Sequence, residues 1–153
     1  MKKIVLFLVV LNILNIHSQC IVDTECTIEP AFPTVCPINL PDGTVGDFYS
    51  EDISFYMPNQ FSDSETGFEV VLDQVIVTNI VGLPLGLDVV LSDPTGIYNP
   101  SDSEFGCANI NGTPLVSGDY TITISIQANV TVVGVGISVD QLVNFDIYMT
   151  VNE

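Results

Sequence analysis

Apolar and polar residues alternate with a period of two over several segments of this chain. In YTITISIQ, residues 120–127, a tyrosine and three isoleucines alternate with threonine, serine and glutamine. Residues 53–57 and 145–151 show the same pattern. Because successive side chains of a strand point to opposite faces, each segment is predicted to bury one face in a core and to expose the other to water.

Further segments are rich in β-branched residues and are predicted to be strands. They are residues 67–80, 86–92 and 107–111. The first is apolar on both faces toward its end, which predicts a central strand or one bent at a bulge. Residues 128–140 are β-branched with two glycines and are predicted to form a twisted or bulged piece, and residues 93–106 are predicted to form a polar loop. Many short strands between glycine and proline turns predict an all-β sandwich.

Two turns stand close together before the strand that begins near Tyr120. Gly112 permits a positive φ, Pro114 fixes its own φ, and Gly118 with Asp119 forms the second turn. We expect the chain to cross here from one sheet to the other. The hydroxyl of Tyr120 is then placed to reach a backbone carbonyl, as in a tyrosine corner.

The N-terminal residues indicate export. Two lysines precede an apolar run, residues 4–14, that is too short to span a bilayer. This layout is typical of a secretory signal peptide, so residues 1–19 are predicted to be removed. The exported chain is expected outside the cell, on the cell surface or at the outer membrane. Lipidation of Cys20 is the alternative, although the histidine and glutamine just before it do not fit a lipobox.

Residues 20–42 hold four prolines and three of the four cysteines, which predicts an irregular N-terminal segment before one domain over 43–153. The cysteines are Cys20, Cys26, Cys36 and Cys107. An even number in an exported chain predicts two disulfides, with three pairings open. We expect Cys107 to bond with one of the other three and the remaining two to bond with each other. A zinc site is the alternative, but the spacing fits no zinc pattern.

The charge of the chain is almost entirely of one sign. The sequence contains 2 Lys or Arg and 19 Asp or Glu. Both basic residues and the single histidine, His17, lie within residues 1–19, so the exported part has no side-chain cation. Nucleic-acid binding and docking on an anionic membrane are excluded, because both need Lys or Arg. The acidic surface keeps the protein soluble, or it attracts cations or a basic partner.

Two segments carry a likeness to a known family: GLPLGLDV, residues 82–89, and CANINGTPLVSGDYTITISI, residues 107–126. Together they resemble the Ig-like, cadherin-like domains of bacterial surface proteins, in which G-L-P-x-G-L is followed by G-T-P-x-x-x-G-x-Y-x-[IV]-x-[IV]. Residues 40–58 resemble the opening strands of that family. The variant with a cysteine before the GTP strand is similar to domains exported by type IX secretion. The resemblance implies an Ig-like β-sandwich and no single biochemical activity.

Two acidic loops are candidate calcium sites. The first offers Asp63, Glu65 and Glu69, and the second offers Asp93, Asp102 and Glu104. Oxygen ligands clustered on loops suit Ca²⁺, although neither run has the spacing of an EF-hand. The alternative is that these carboxylates are simply solvated.

Aromatic residues in loops and at strand ends are candidate contact residues for a partner. They are Tyr56, Phe61, Tyr98 and Phe105. Catalysis is not expected, because no Lys, Arg or His follows His17 to act as a base or a nucleophile.

The leading hypothesis is therefore a non-catalytic exported binding module, an accessory subunit of a cell-surface assembly for secretion, motility or adhesion. Its partner is expected to be a protein of the cell surface or outer membrane. A second hypothesis is a calcium-dependent module of an adhesin that binds glycans. A third is a secreted hydrolase that uses a pair of carboxylates.

Overall fold

The computed structural model describes residues 20–26, 34–63 and 66–153. The predicted signal peptide, residues 1–19, lies outside these ranges. The described residues form ten strands: β1 (Thr34–Cys36), β2 (Gly43–Thr44), β3 (Tyr49–Tyr56), β4 (Gln60–Ser62), β5 (Glu69–Val81), β6 (Leu87–Leu91), β7 (Ile97–Tyr98), β8 (Phe105–Gly112), β9 (Gly118–Val132) and β10 (Ser138–Asn152). Within those ranges, no helix is long and apolar enough to cross a membrane.

The strands form two sheets, which confirms the predicted all-β, Ig-like sandwich. Sheet A has four strands in the order β1-β3-β8-β6. Sheet B has six, in the order β2-β10-β9-β5-β4, with β7 also paired to β5. All pairs are antiparallel except β2 with β10.

The core lies between the sheets and is built from the alternating segments. Ile122, Ile124 and Ile126 of β9 are buried, and so are Ile147 and Met149 of the neighbouring β10. Buried Ile53 of β3 and Ile110 of β8 cover them from sheet A, together with Met57, which directly follows β3. The period of two in the sequence therefore identifies the face of each strand that the core requires.

Strand β5 is both central and bent, as its apolar sequence predicts. It pairs with β9 on one side and with β4 and β7 on the other. Its register with β9 shifts between Leu72 and Gln74 and again between Val77 and Asn79. Each shift inserts an extra residue, so the inner face that includes Leu72 continues with Val75 and Val77 after the first shift and with Ile80 after the second.

Residues 128–140, predicted to be a twisted or bulged piece, form the end of β9, a turn and the start of β10. Strand β9 runs without a break to Val132, turns through residues 133–137, and returns as β10 in continuous register from Ser138 to Val151. The two glycines, Gly134 and Gly136, have positive φ and form the turn rather than bulges. The polar loop 93–106 also contains a short strand, β7.

The predicted irregular segment, 20–42, is only partly irregular. Strand β1 lies inside it and joins sheet A, where its three residues pair with the end of β3. After the cis bond between Cys36 and Pro37, the chain changes sheets and Asn39 bridges to Tyr148 of β10. Residues 34–42 therefore belong to the sandwich.

Residues 20–26 cross the outer face of sheet A and are held there by disulfides and hydrogen bonds. The backbone N–H of Ile21 donates to Asp52, at 2.9 Å, and that of Asp23 donates to Ser54 Oγ, at 2.7 Å. Cys20 is bonded to Cys107 and Cys26 to Cys36. This is the arrangement expected from the sequence, in which Cys107 takes an N-terminal partner and the other two cysteines pair locally.

The two segments that carry the family likeness meet at one end of the sandwich. The N–H of Thr113 donates to the carbonyl of Gly86, at 3.1 Å, and the N–H of Leu115 donates to that of Leu85, at 2.8 Å. The chain passes here from β8 in sheet A to β9 in sheet B, as predicted. The hydroxyl of Tyr120 donates to the carbonyl of Val116, at 2.9 Å, which confirms the expected backbone contact.

Gly112 is expected to be essential to this junction. Its φ is +136°, and a Cβ atom there would lie 2.2 Å from the carbonyl oxygen of Gly86. Gly112→Ala should lower the free energy of unfolding by about 3 kcal/mol or more, since it adds a backbone clash, at roughly 1–3 kcal/mol, to the cost of a positive φ. Gly134→Ala is the matched control, because its φ is +83° but nothing lies within 4 Å.

The control should lose only about 1–2 kcal/mol, the cost of the backbone conformation alone. Urea denaturation of both variants measures the difference. Equal losses would contradict the close approach of the two motif segments.

Candidate binding surface

Two of the four predicted contact aromatics lie side by side on the outer face of sheet A. The rings of Tyr56 and Phe105 are 5.0 Å apart between centroids and tilted by 36°. Both are half-buried. Burial, and then the charge of Glu104, raise the pKa of Tyr56 above its usual value, so its hydroxyl stays protonated at neutral pH.

Of the other two predicted aromatics, Tyr98 is a core residue, so its assignment to a contact surface is wrong, whereas Phe61 is half-buried beside the core. Tyr98 is buried and its ring contacts Phe55 edge-on, with centroids 4.9 Å apart. Its hydroxyl lies 3.3 Å from Ser92 Oγ and accepts the N–H of Asp93. Phe61 packs against the same core. Both sit on short strands, β4 and β7, that pair with β5 and cover the core.

The carboxylates of the first acidic loop are engaged in local hydrogen bonds. Asp63 accepts the N–H and the hydroxyl of Thr66. Glu69 accepts the hydroxyl of Ser62 and the side-chain amide of Gln60. Glu65 lies outside the described residues. The loop is therefore shaped by its own donors, as an Asx turn is.

The second acidic loop is shaped in the same way. Asp93 accepts the hydroxyl of Thr95 at 2.6 Å and its N–H at 2.8 Å, and these bonds lower the pKa of its carboxyl group. Glu104 accepts the N–H of Asn59 at 2.7 Å. The N–H of Asp102 donates to the carbonyl of Asn99. Among the residues the structure describes, no three Asp, Glu, His or Cys come together as a metal site would require.

The interior holds a cavity of about 30 Å³ between the two sheets. Its walls are apolar side chains from both sheets, including Val35 of β1, Phe55 of β3 and Phe145 of β10. It therefore offers no polar group that would orient a substrate or exchange a proton.

A more informative surface lies at the free end of the β9–β10 hairpin. Large apolar side chains are exposed there on the turn and on both faces of the first residues of β10. We call them the hairpin patch: Val133, Val135, Ile137, Val139 and Leu142. Leu142 is 77% exposed and Val135 is 61% exposed. Phe68 is also exposed. It lies near the patch, because the carbonyl of the next residue, Glu69, accepts the N–H of Val133.

Exposed apolar residues also occur at the opposite end of the sandwich, at Leu85, Leu115 and Val116. Their backbone is already used, because Leu115 donates to Leu85 and Val116 accepts from Tyr120. The hairpin patch differs because it adjoins a strand edge whose backbone has no partner among the described residues.

That edge is the outer side of β10. Tyr148 donates to the carbonyl of Ile38 and accepts the N–H of Leu40, both at 2.8 Å, so its backbone groups face away from β9. In an antiparallel strand this direction alternates from residue to residue. The backbone groups of all even-numbered residues of β10 therefore face the outer side. On the N-terminal side of Tyr148, over residues 138–146, no described residue pairs with them. We call residues 138–146 the open edge of β10.

The signal for this surface was present in the sequence. Two alternating apolar segments, 120–132 and 139–151, flank a short stretch with two glycines, which is typical of a β-hairpin. The open edge itself depends on which strands lie next to β10 in the sheet, and no local sequence pattern predicts those neighbours.

Comparison with known proteins places few limits on function. No protein-family model and no curated protein matches the sequence. Among solved structures, the chain is similar to AggA, the major subunit of aggregative adherence fimbriae type I from Escherichia coli. The TM-score is 0.40 and the identity 17%, over 80% of this chain and 95% of that one. At that TM-score the likeness carries no argument about function.

The arrangement of the acidic loops leads to a test with metal ions. Because Asp63, Glu69, Asp93 and Glu104 accept from local donors and no three described carboxylates converge, Ca²⁺ and Mg²⁺ at equal concentration should raise the melting temperature by the same amount, through screening alone. Thermal denaturation monitored by circular dichroism measures both shifts. A saturable extra shift with Ca²⁺ that is lost in Asp63→Asn or Asp102→Asn would contradict this and support the calcium hypothesis.

Proposed function

We propose that this protein is an exported, non-catalytic binding module that acts as an accessory subunit of a cell-surface assembly. It binds a partner protein through the hairpin patch and the open edge of β10. The observation that carries the proposal is their juxtaposition, in which exposed Leu142 and Val139 adjoin a row of unpaired backbone groups.

Two physical arguments support a binding role for this surface. Contiguous exposed apolar side chains are costly in water and mark interaction sites in soluble proteins. An open strand edge is similarly exposed to uncontrolled pairing, and proteins usually cover or shorten such edges. Strand β10 does neither over residues 138–146, although β2 and Asn39 cover its other half.

The composition supports a non-catalytic role. The residues after His17 contain no Lys, Arg or His, and all four cysteines are bonded in the structure. The His, Lys and free Cys side chains that often serve as bases and nucleophiles are therefore missing from the exported part. Among the described residues, buried side-chain polar atoms all have hydrogen-bond partners.

The proposal is tested by recovering partners from envelope extracts of the source cells on immobilised protein. Leu142→Asp and Val135→Asp should each reduce the recovered partner at least tenfold, because a charge is then buried against an apolar surface. Leu115→Asp is the matched control, since it places the same charge on an exposed leucine at the opposite end of the sandwich. It should recover as much partner as the wild type.

Loss of the partner in Leu115→Asp, with retention in Leu142→Asp, would move the binding surface to the other end. Circular dichroism of each variant checks that the fold is unchanged.

A further inference from the structure

We infer that the open edge of β10 accepts an extended strand of the partner protein in which apolar residues alternate with lysine or arginine. This inference rests on the proposed function and adds the chemistry of the partner.

The backbone of the open edge specifies an extended occupant. The N–H and C=O groups of the even-numbered residues from Ser138 to Asp146 point to the same side as those of Tyr148. The register with β9 has no shift over this range, so the unused groups form one straight row. At about 3.3 Å per residue the row is roughly 30 Å long. Only another strand presents donors and acceptors at that spacing.

The faces of β10 specify alternation in the occupant. Odd-numbered residues point to the inner face, where Val143 and Phe145 are only partly buried at the margin of the core. A neighbouring strand would cover them with apolar side chains on the same face. Its other side chains would lie on the outer face, beside Asp140, Leu142 and Asp146.

The charge of the outer face specifies cations. Asp140 accepts from Asn129 and Asp146 accepts from the hydroxyl of Thr123, so both carboxylates lack an opposite charge. The described residues contain no Lys or Arg that could supply one. A strand carrying Lys or Arg on that face would pair with them across the strands.

The same charges disfavour a second copy of this chain at the edge. The segment 138–146 contains two aspartates and no cation, and charged residues on an edge strand prevent pairing between like edges. A partner with cations meets no such repulsion, and this asymmetry selects between partners. The carboxylates thus exclude self-association while leaving the edge open to a basic strand.

The test uses two synthetic nonapeptides with the same composition of five valines and four lysines. In one the residues alternate, and in the other the valines precede the lysines. Both carry the same charge, so nonspecific attraction to the acidic protein is matched. NMR titration should give at least tenfold tighter binding of the alternating peptide, with slowed amide exchange at the even-numbered residues from 138 to 146.

A pair of variants at Leu142 separates backbone pairing from side-chain contact. Leu142→Pro removes an edge-facing N–H that the fold does not use, and proline is tolerated on edge strands. Leu142→Ala keeps that N–H. The proline variant should lose binding at least tenfold relative to the alanine variant. An alternating peptide that is N-methylated at every second residue should bind the wild type as weakly as the unmethylated peptide binds the proline variant. This second measurement still tests the inference if the proline variant does not fold.

Equal binding of the two peptides, or indifference to N-methylation, would overturn the inference. Concentration-dependent protection of the even-numbered amides without peptide would also overturn it, because a second copy would then fill the edge. If the native partner is still lost in Leu142→Asp, either result leaves the proposed function in place and removes only the strand. If the strand tests fail and Leu142→Asp also retains the native partner, both the strand inference and the proposed function are removed.

Discussion

The antiparallel pairing of β9 with β10 is the interaction on which the rest of this structure depends. These two strands supply the buried isoleucines at the centre of sheet B, and β5 pairs with β9 along most of its length. Their unbroken register also fixes which backbone groups of β10 face outward. The same pairing therefore builds the core and exposes the open edge, and a shift by one residue would exchange the two faces.

A second constraint is the lack of cations beyond residue 3. Carboxylates that would elsewhere form ion pairs accept from hydroxyl and amide groups instead, as Asp146 does from Thr123 and Asp119 does from Thr150. Such bonds hold local geometry but leave the charge uncompensated. In the proposed function, this uncompensated charge repels a second copy and attracts a basic partner, so the acidic surface selects partners as well as favouring solubility.

The sequence predicts the fold well and the binding surface poorly. Period-two alternation and the turn at Gly112 identify the strands, the sheet change and the contact of Tyr120, because each depends on neighbouring residues. The predicted contact residue Tyr98 is instead buried in the core, since β7 places it against β5. The open edge depends on which strand lies beside β10. That is a long-range property of the topology, and composition and spacing do not encode it locally.

Residue-resolved amide hydrogen exchange of the isolated protein tests the central claim most directly. The account predicts an alternation along residues 138–146, with fast exchange at even-numbered positions and slow exchange at odd-numbered positions, whose N–H groups bond to β9. Protection at all of these positions at low protein concentration would contradict it, because the edge of β10 would then already be paired.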